Sequence, residues 1–156
     1  MNKPLKTLFA LNFKQQVVVY AAWLLFIVWH FKISYLPYRW WRKSLSSYAA
    51  IQEQPDIHLR AMQIVGLIEK AGRHHFVKIN CLRRCMVQKQ LLHWHNINSQ
   101  LSIGVKKEQG KFAAHCWLVV NNHIINDSPE ETQNYAELQR LQPGENQDAS
   151  VINNLV

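Results

Sequence analysis

Asn80-Cys81-Leu82-Arg83-Arg84-Cys85-Met86-Val87-Gln88-Lys89-Gln90-Leu91-Leu92-His93-Trp94-His95 is the stretch on which the reading of this chain turns. Asn is among the best N-cap residues, so Asn80 predicts a helix from Cys81 to about His95 with a thiol at its first position. The start of a helix carries partial positive charge and backbone N–H groups without intrahelical acceptors. A thiol held there has its pKa lowered, which makes thiolate available near neutral pH. The same N–H groups can hydrogen-bond a developing oxyanion. Apolar residues fall on more than one side (Leu82, Cys85, Met86, Val87, Leu91, Leu92, Trp94), which predicts a largely buried helix. A single cysteine at a helix start is more often structural than catalytic, so a chemical reading needs partners.

The partners lie downstream. Gln100-Leu101-Ser102-Ile103-Gly104-Val105 alternates polar and apolar as a strand does, and Lys106 to Lys111, with Gly110, reads as a turn. Phe112 to Val120 is a strong strand carrying His115, and Asn121-Asn122 is a credible two-residue turn because Asn tolerates positive φ. His123 to Asn126 is the return strand, which ends at Asp127; Pro129 and the acidic stretch after it mark an exit from the sheet. One thiol at a helix start, one histidine in a strand and one aspartate at the end of the next strand make the set needed for thiolate acyl transfer. Cys81 attacks a carbonyl, His115 manages the proton and Asp127 orients the imidazole. The order Cys, His, Asp, on a helix and then two strands, is that of transglutaminase-like and papain-like cysteine protease folds, an α+β class with a small antiparallel sheet. A plain two-residue turn would pair Cys116 with Asp127, putting Asp127 on the face opposite His115. The hairpin is therefore expected to end in a bulge or irregularity that restores the parity.

These residues resemble a known family. Asn80-Cys81-Leu82-x-Arg84, Ile103-Gly104-Val105-Lys106-Lys107, Phe112-x-Ala114-His115-x-Trp117 and Asn126-Asp127, in that order, look like the leader peptidase of lasso peptide biosynthesis. That is the transglutaminase-like domain of the B-type maturation protein, often encoded as a separate short chain. The motif-bearing part covers about residues 78–128, and Leu36-Pro37-Tyr38-Arg39 also resembles the start of such chains. The resemblance implies Cys81 as nucleophile, His115 as base and Asp127 as orienting acid, with no cofactor. It implies cleavage of a leader from a ribosomal precursor peptide, typically next to a threonine near the leader's end. It implies a PqqD-like leader-binding protein acting in trans, and an asparagine-synthetase-like cyclase that closes the ring. Cys116 stands where the family usually has alanine, Cys85 where serine is common, and His93-Trp94-His95-Asn96 replaces a basic stretch ending in glycine. None of these removes a triad member; they bear on substrate preference. Two other readings remain open at this point: an acyltransferase that passes the thioester to an amine, and a non-catalytic, membrane-associated scaffold.

Upstream of the cysteine helix, Pro55 to Gly72 reads as one packing helix, with Pro55 in its first turn and Gly72 as its stop. Further upstream, Val17–Trp29 is an unbroken apolar run of 13 residues, short of the roughly 20 a spanning helix wants. No small-x-small cleavage site follows it, so a signal peptide is not supported. Leu36 to Lys43 then interleaves aromatics with cations. A core helix, a Pro-punctuated turn and a second helix is the first reading of this front. An in-plane membrane anchor is the second. Nucleic acid binding is the weakest, because no recognition motif accompanies the basic-aromatic cluster. The chain thus divides into an N-terminal helical segment (1–50) packing on the core or meeting a membrane or partner, a transglutaminase-like core (51–130) and an acidic tail (131–156). No leader-binding module is evident before the core, and the expected location is the cytoplasm, with peripheral association at the inner membrane face.

Composition agrees. Apolar residues are 48% of 156, enough for one packed domain, and charged residues only 18%. The net charge of +8 is uneven: residues 1–52 carry seven Lys/Arg and no carboxylate, whereas the last 52 carry four basic against seven acidic residues. That polarity points to an acidic partner or a membrane surface. Three cysteines are too few for a disulfide scaffold, and no glycine-rich phosphate loop occurs. Cys85 reads as a packing residue, ahead of a resolving thiol or a metal ligand. His74, His75, His93, His95 and His123 lack zinc-site spacing and read as surface or capping residues. Trp117 reads as core, beside the histidine.

Overall fold

The structure is a computed structural model describing residues 11–45, 56–108 and 111–140. Helix α1 spans Phe13–Tyr35. It opens on a capping box in which the Gln15 amide donates to Asn12 Oδ1 (2.9 Å) and the Asn12 amide to Gln15 Oε1 (3.1 Å). It ends where Pro37 holds Leu36 in extended backbone (φ −98°, ψ 142°). A short helix α2, Tyr38–Trp41, and one 3-10 turn, Arg42–Ser44, follow. The front thus folds as a helix with one buried face, a Pro-punctuated turn and a second, short helix. The helix, at 23 residues, is longer than the 13-residue apolar run because Lys14, Lys32 and the glutamines are accommodated within it, clear of its core face.

Helix α3 spans Ile57–Arg73 and buries Ile57, Ala61, Ile64, Val65, Ile68 and Ala71 on one stripe. Pro55 lies outside the described residues. Gly72 does not stop the helix, which runs on to Arg73; a Cβ at Gly72 would stand 3.4 Å from Ile79 Cδ1 and 3.5 Å from the Phe26 ring, in ordinary packing contact. Helix α4 spans Cys81–Trp94, one residue from the expected end, with the Arg83 amide donating to Asn80 Oδ1. It is buried along most of its length as its composition predicts, but Trp94 is 56% exposed at the outer end.

Strands β1 (Gln100–Glu108), β2 (Lys111–Val120), β3 (His123–Ile124) and β4 (Ala136–Arg140) form an antiparallel sheet in the order β3-β2-β1-β4. β1 runs three residues past Val105, because Lys106, Lys107 and Glu108 pair with Ala113, Phe112 and Lys111. The expected turn therefore does not include 106–108 or Lys111, and residues 109–110 lie outside the described residues. Nor does the chain leave the sheet for good at Pro129. A one-turn helix α5, Pro129–Thr132, capped by Ser128, reverses it, and residues 136–140 return as the edge strand β4.

The helices and the sheet share one core. α1 contributes Ala22, Phe26 and Trp29; α4 contributes Leu82, Met86 and Leu92; β2 contributes Cys116 and Leu118. Polar contacts fix α1 against α4: the Trp29 indole N–H donates to Gln90 Oε1 (2.8 Å), and Arg83 donates to Ser34 Oγ (3.0 Å) and the Lys78 carbonyl (3.1 Å). His75 is not a plain surface residue. It bridges to the Trp23 carbonyl (3.1 Å), accepts from the Val77 amide and stacks on Phe76, so it ties the α3–α4 connection to α1.

Candidate active site

Cys81 sits at the first residue of α4, as its N-cap predicts. Asn80 Oδ1 takes the Arg83 amide and the Asn80 carbonyl takes the Arg84 amide. By helix geometry the amides of Cys81 and Leu82 then have no intrahelical acceptor, so they point forward from the helix start. The half-buried thiol has the Cys116 thiol and the His115 ring as the neighbours that set its charge state.

His115 comes from the middle of β2, and its Nε2 is 2.6 Å from Asp127 Oδ2. That leaves Nδ1 as the ring nitrogen available to the sulfur. The parity problem of the hairpin is solved as expected, by an irregular end. Asn121 and Asn122 adopt φ of 47° and 61°, and Val120 pairs with His123 in a plain two-residue turn. The paired strand stops after Ile124. The Ile125 amide still bonds the Leu118 carbonyl (3.1 Å), but the Leu118 amide is taken by the side chain of Asn126, at Oδ1 (2.8 Å). A side chain thus fills the rung a backbone carbonyl would fill, and the backbone is free to turn Asp127 towards His115. Asn126 in turn donates through Nδ2 to Gln88 Oε1 (2.7 Å), which fixes it to α4.

Two groups at this site carry no signal as strong as the triad's in the sequence. Arg84 Nη2 donates to the same Asp127 Oδ2 at 2.9 Å, while its Nε stands 3.8 Å from Glu69 on α3. Gln88 is fully buried and donates to Glu69 Oε1 at 2.6 Å. Cys81, Arg84, Cys85 and Gln88 follow the i, i+3, i+4, i+7 pattern, which puts them on one face of α4. That face meets the Asn126-Asp127 bend. The available signal was polar residues at helical spacing on an otherwise apolar helix. The second missed group is Tyr135, whose ring centroid is 5.1 Å from that of His115. Trp117, 4% exposed, lies 6.1 Å from the imidazole, so it is both core and neighbour to the site. Gly104, paired with His115 across the ladder, makes room for both: a Cβ there would come within 2.8 Å of Trp117 and of Tyr135 Cβ.

Electrostatics follow from this geometry. The Cys81 thiol is brought down to about 4 by the hydrogen bond from Cys116 first, then by the His115 ring, against the burial that pushes it up. His115 is raised to about 9 by its bond to the Cys81 sulfur first, then by Asp127, against its own burial. Between those values the pair is thiolate and imidazolium. Cys116 is held well above the ordinary thiol range, chiefly by complete burial. Cys85 is buried and donates to the Cys116 carbonyl (3.3 Å), a packing role as its position predicts. Among the described residues no group of three or more His, Cys, Asp or Glu is placed to hold a metal.

A thiolate at a helix start, an imidazolium beside it and a carboxylate behind the imidazolium define the class of thiol-dependent acyl-transfer sites. The family model described as the transglutaminase-like superfamily matches residues 24–140, and the chain belongs to that superfamily, whose members are usually catalytic as cysteine proteases or transferases. No curated protein and no solved structure matches it.

Proposed function

We propose that this protein is a cysteine peptidase that removes the leader from a ribosomally made precursor of the lasso type, ahead of cyclisation. The observation that carries the chemistry is the Cys81–His115–Asp127 line, with the thiol at the start of α4 and the imidazole held 2.6 Å from the carboxylate. In the reaction the Cys81 thiolate adds to the scissile carbonyl, and the oxyanion is met by the free amides of the helix start. The C–N bond breaks as the His115 imidazolium gives its proton to the leaving amine, leaving a thioester. His115, now neutral, takes a proton from water, whose oxygen adds to the thioester. The C–S bond breaks, a carboxylic acid leaves and loses its proton to solvent, and the thiolate–imidazolium pair is restored. Asp127 keeps the ring in the required tautomer throughout.

The substrate class is supported by the ordered set of motifs around Cys81, Gly104, His115 and Asp127 that resembles lasso leader peptidases. On this reading a PqqD-like protein presents the leader in trans, and an asparagine-synthetase-like cyclase receives the freed core peptide. Incubation with a precursor and the leader-binding protein should give two fragments whose masses sum to precursor plus one water. Cys81→Ala should leave the precursor whole; retained cleavage overturns the nucleophile assignment. A product mass carrying an added amine in place of water would instead identify an acyltransferase, which the superfamily also includes.

A further inference from the structure

Helix α1 is apolar on both faces, and only one of them is covered. Val18, Ala22, Phe26, Trp29 and Ile33 face the core. On the opposite side Phe13 (79% exposed), Tyr20 (59%), Leu24 (60%), Phe31 (56%) and Tyr35 (71%) stand in solvent, with Val17 half-exposed. At about 100° per residue these six fall within a stripe roughly 60° wide, and it runs about 33 Å along the helix. A helix apolar all round is normally enclosed on every side, and a continuous exposed row of this kind marks an interaction surface.

The charges around the row indicate what covers it. Lys14 lies exposed at the start of the helix, and Arg39, Arg42 and Lys43 lie exposed just past its end, with Trp40 (68% exposed) among them. No carboxylate occurs before Glu53. An apolar row bracketed by cations and by amphipathic rings suits an anionic phospholipid surface, with the row among the acyl chains and the cations on phosphates. α1 is long and apolar enough to cross a bilayer, at 23 residues and a mean hydropathy of 1.8. Crossing would however pull Phe26 and Trp29, each 1% exposed, out of the core. We infer that α1 docks the folded protein on an anionic bilayer in the plane of the interface, through the Phe13–Tyr35 stripe, with its other face still in the core. An enzyme held this way would act on substrates delivered at the membrane face.

Flotation of the full-length protein with phosphatidylglycerol/phosphatidylethanolamine vesicles, and separately with phosphatidylcholine vesicles, tests this. The wild type should float with the anionic vesicles and not with the neutral ones, and 1 M NaCl should weaken the association. Leu24→Asp/Phe31→Asp should reduce binding at least tenfold while circular dichroism and Cys81 alkylation stay unchanged, since both side chains are outside the core. Arg39→Gln/Arg42→Gln/Lys43→Gln should reduce it on the order of a hundredfold. Absence of flotation with anionic vesicles overturns the inference, as does equal binding to both vesicle types. So does a dimer in solution that the Leu24→Asp/Phe31→Asp variant dissolves while vesicle binding stays absent, because the stripe would then belong to a second copy.

Discussion

Asp127 Oδ2 serves two cations at once, the His115 imidazolium and the Arg84 guanidinium. The sign of each interaction fixes what a substitution does. The active pair exists above the Cys81 value of about 4 and below the His115 value of about 9, so kcat/KM should rise through the first and fall through the second. Asp127→Asn removes a charge that favours the imidazolium. The alkaline limb should move down, and kcat should fall by roughly 10² or more. Arg84→Ala acts in the opposite sense on the limb, because the guanidinium shares the carboxylate and repels the imidazolium. We expect kcat to fall on the order of tenfold while the alkaline limb moves up, with partial rescue by Arg84→Lys, which keeps charge but loses the fork. A pH–rate profile of the two variants checks both signs; limbs that stay put would mean that Arg84 only packs.

Elements set these residues in place. Asn80→Ala removes the cap that aims the start of α4 and should cost about 1 kcal/mol, read by urea denaturation. Gly104→Ala would push a methyl into Trp117 and Tyr135; overpacking of this kind costs about 1–3 kcal/mol and should displace both rings beside His115, so activity should fall beyond what the lost stability explains. The helix start at Cys81 and the Asn-Asn turn were legible in the sequence because their signals are local: a cap residue, and two residues that tolerate positive φ. The irregular end of the hairpin was legible too, through strand parity alone. The device that produces it was not, since Asn126 replacing a backbone rung depends on Gln88, which lies 38 residues away. β4 went unread for the same reason: its Ala-Glu-Leu-Gln-Arg segment looks like an acidic tail until Tyr135 is seen against the site.

At the scale of the whole molecule, the front helix and the site stand on one core, so a change far from the thiol should unfold both together. Trp29→Ala, at a residue 1% exposed and bonded to Gln90, should cost about 3–5 kcal/mol in a single cooperative transition followed by both helix and sheet probes. The same global fold is what distinguishes one cysteine from the other two. Cys81 is half-buried at a helix start beside an imidazolium, whereas Cys85 and Cys116 are enclosed. The most direct test is timed iodoacetamide labelling of the native protein at pH 6, followed by mass mapping of the three cysteines, with a parallel reaction in denaturant. Cys81 should be modified far faster than Cys85 and Cys116, and denaturant should equalise the three. Equal or slower modification of Cys81 in the native protein would contradict a thiolate nucleophile at that position.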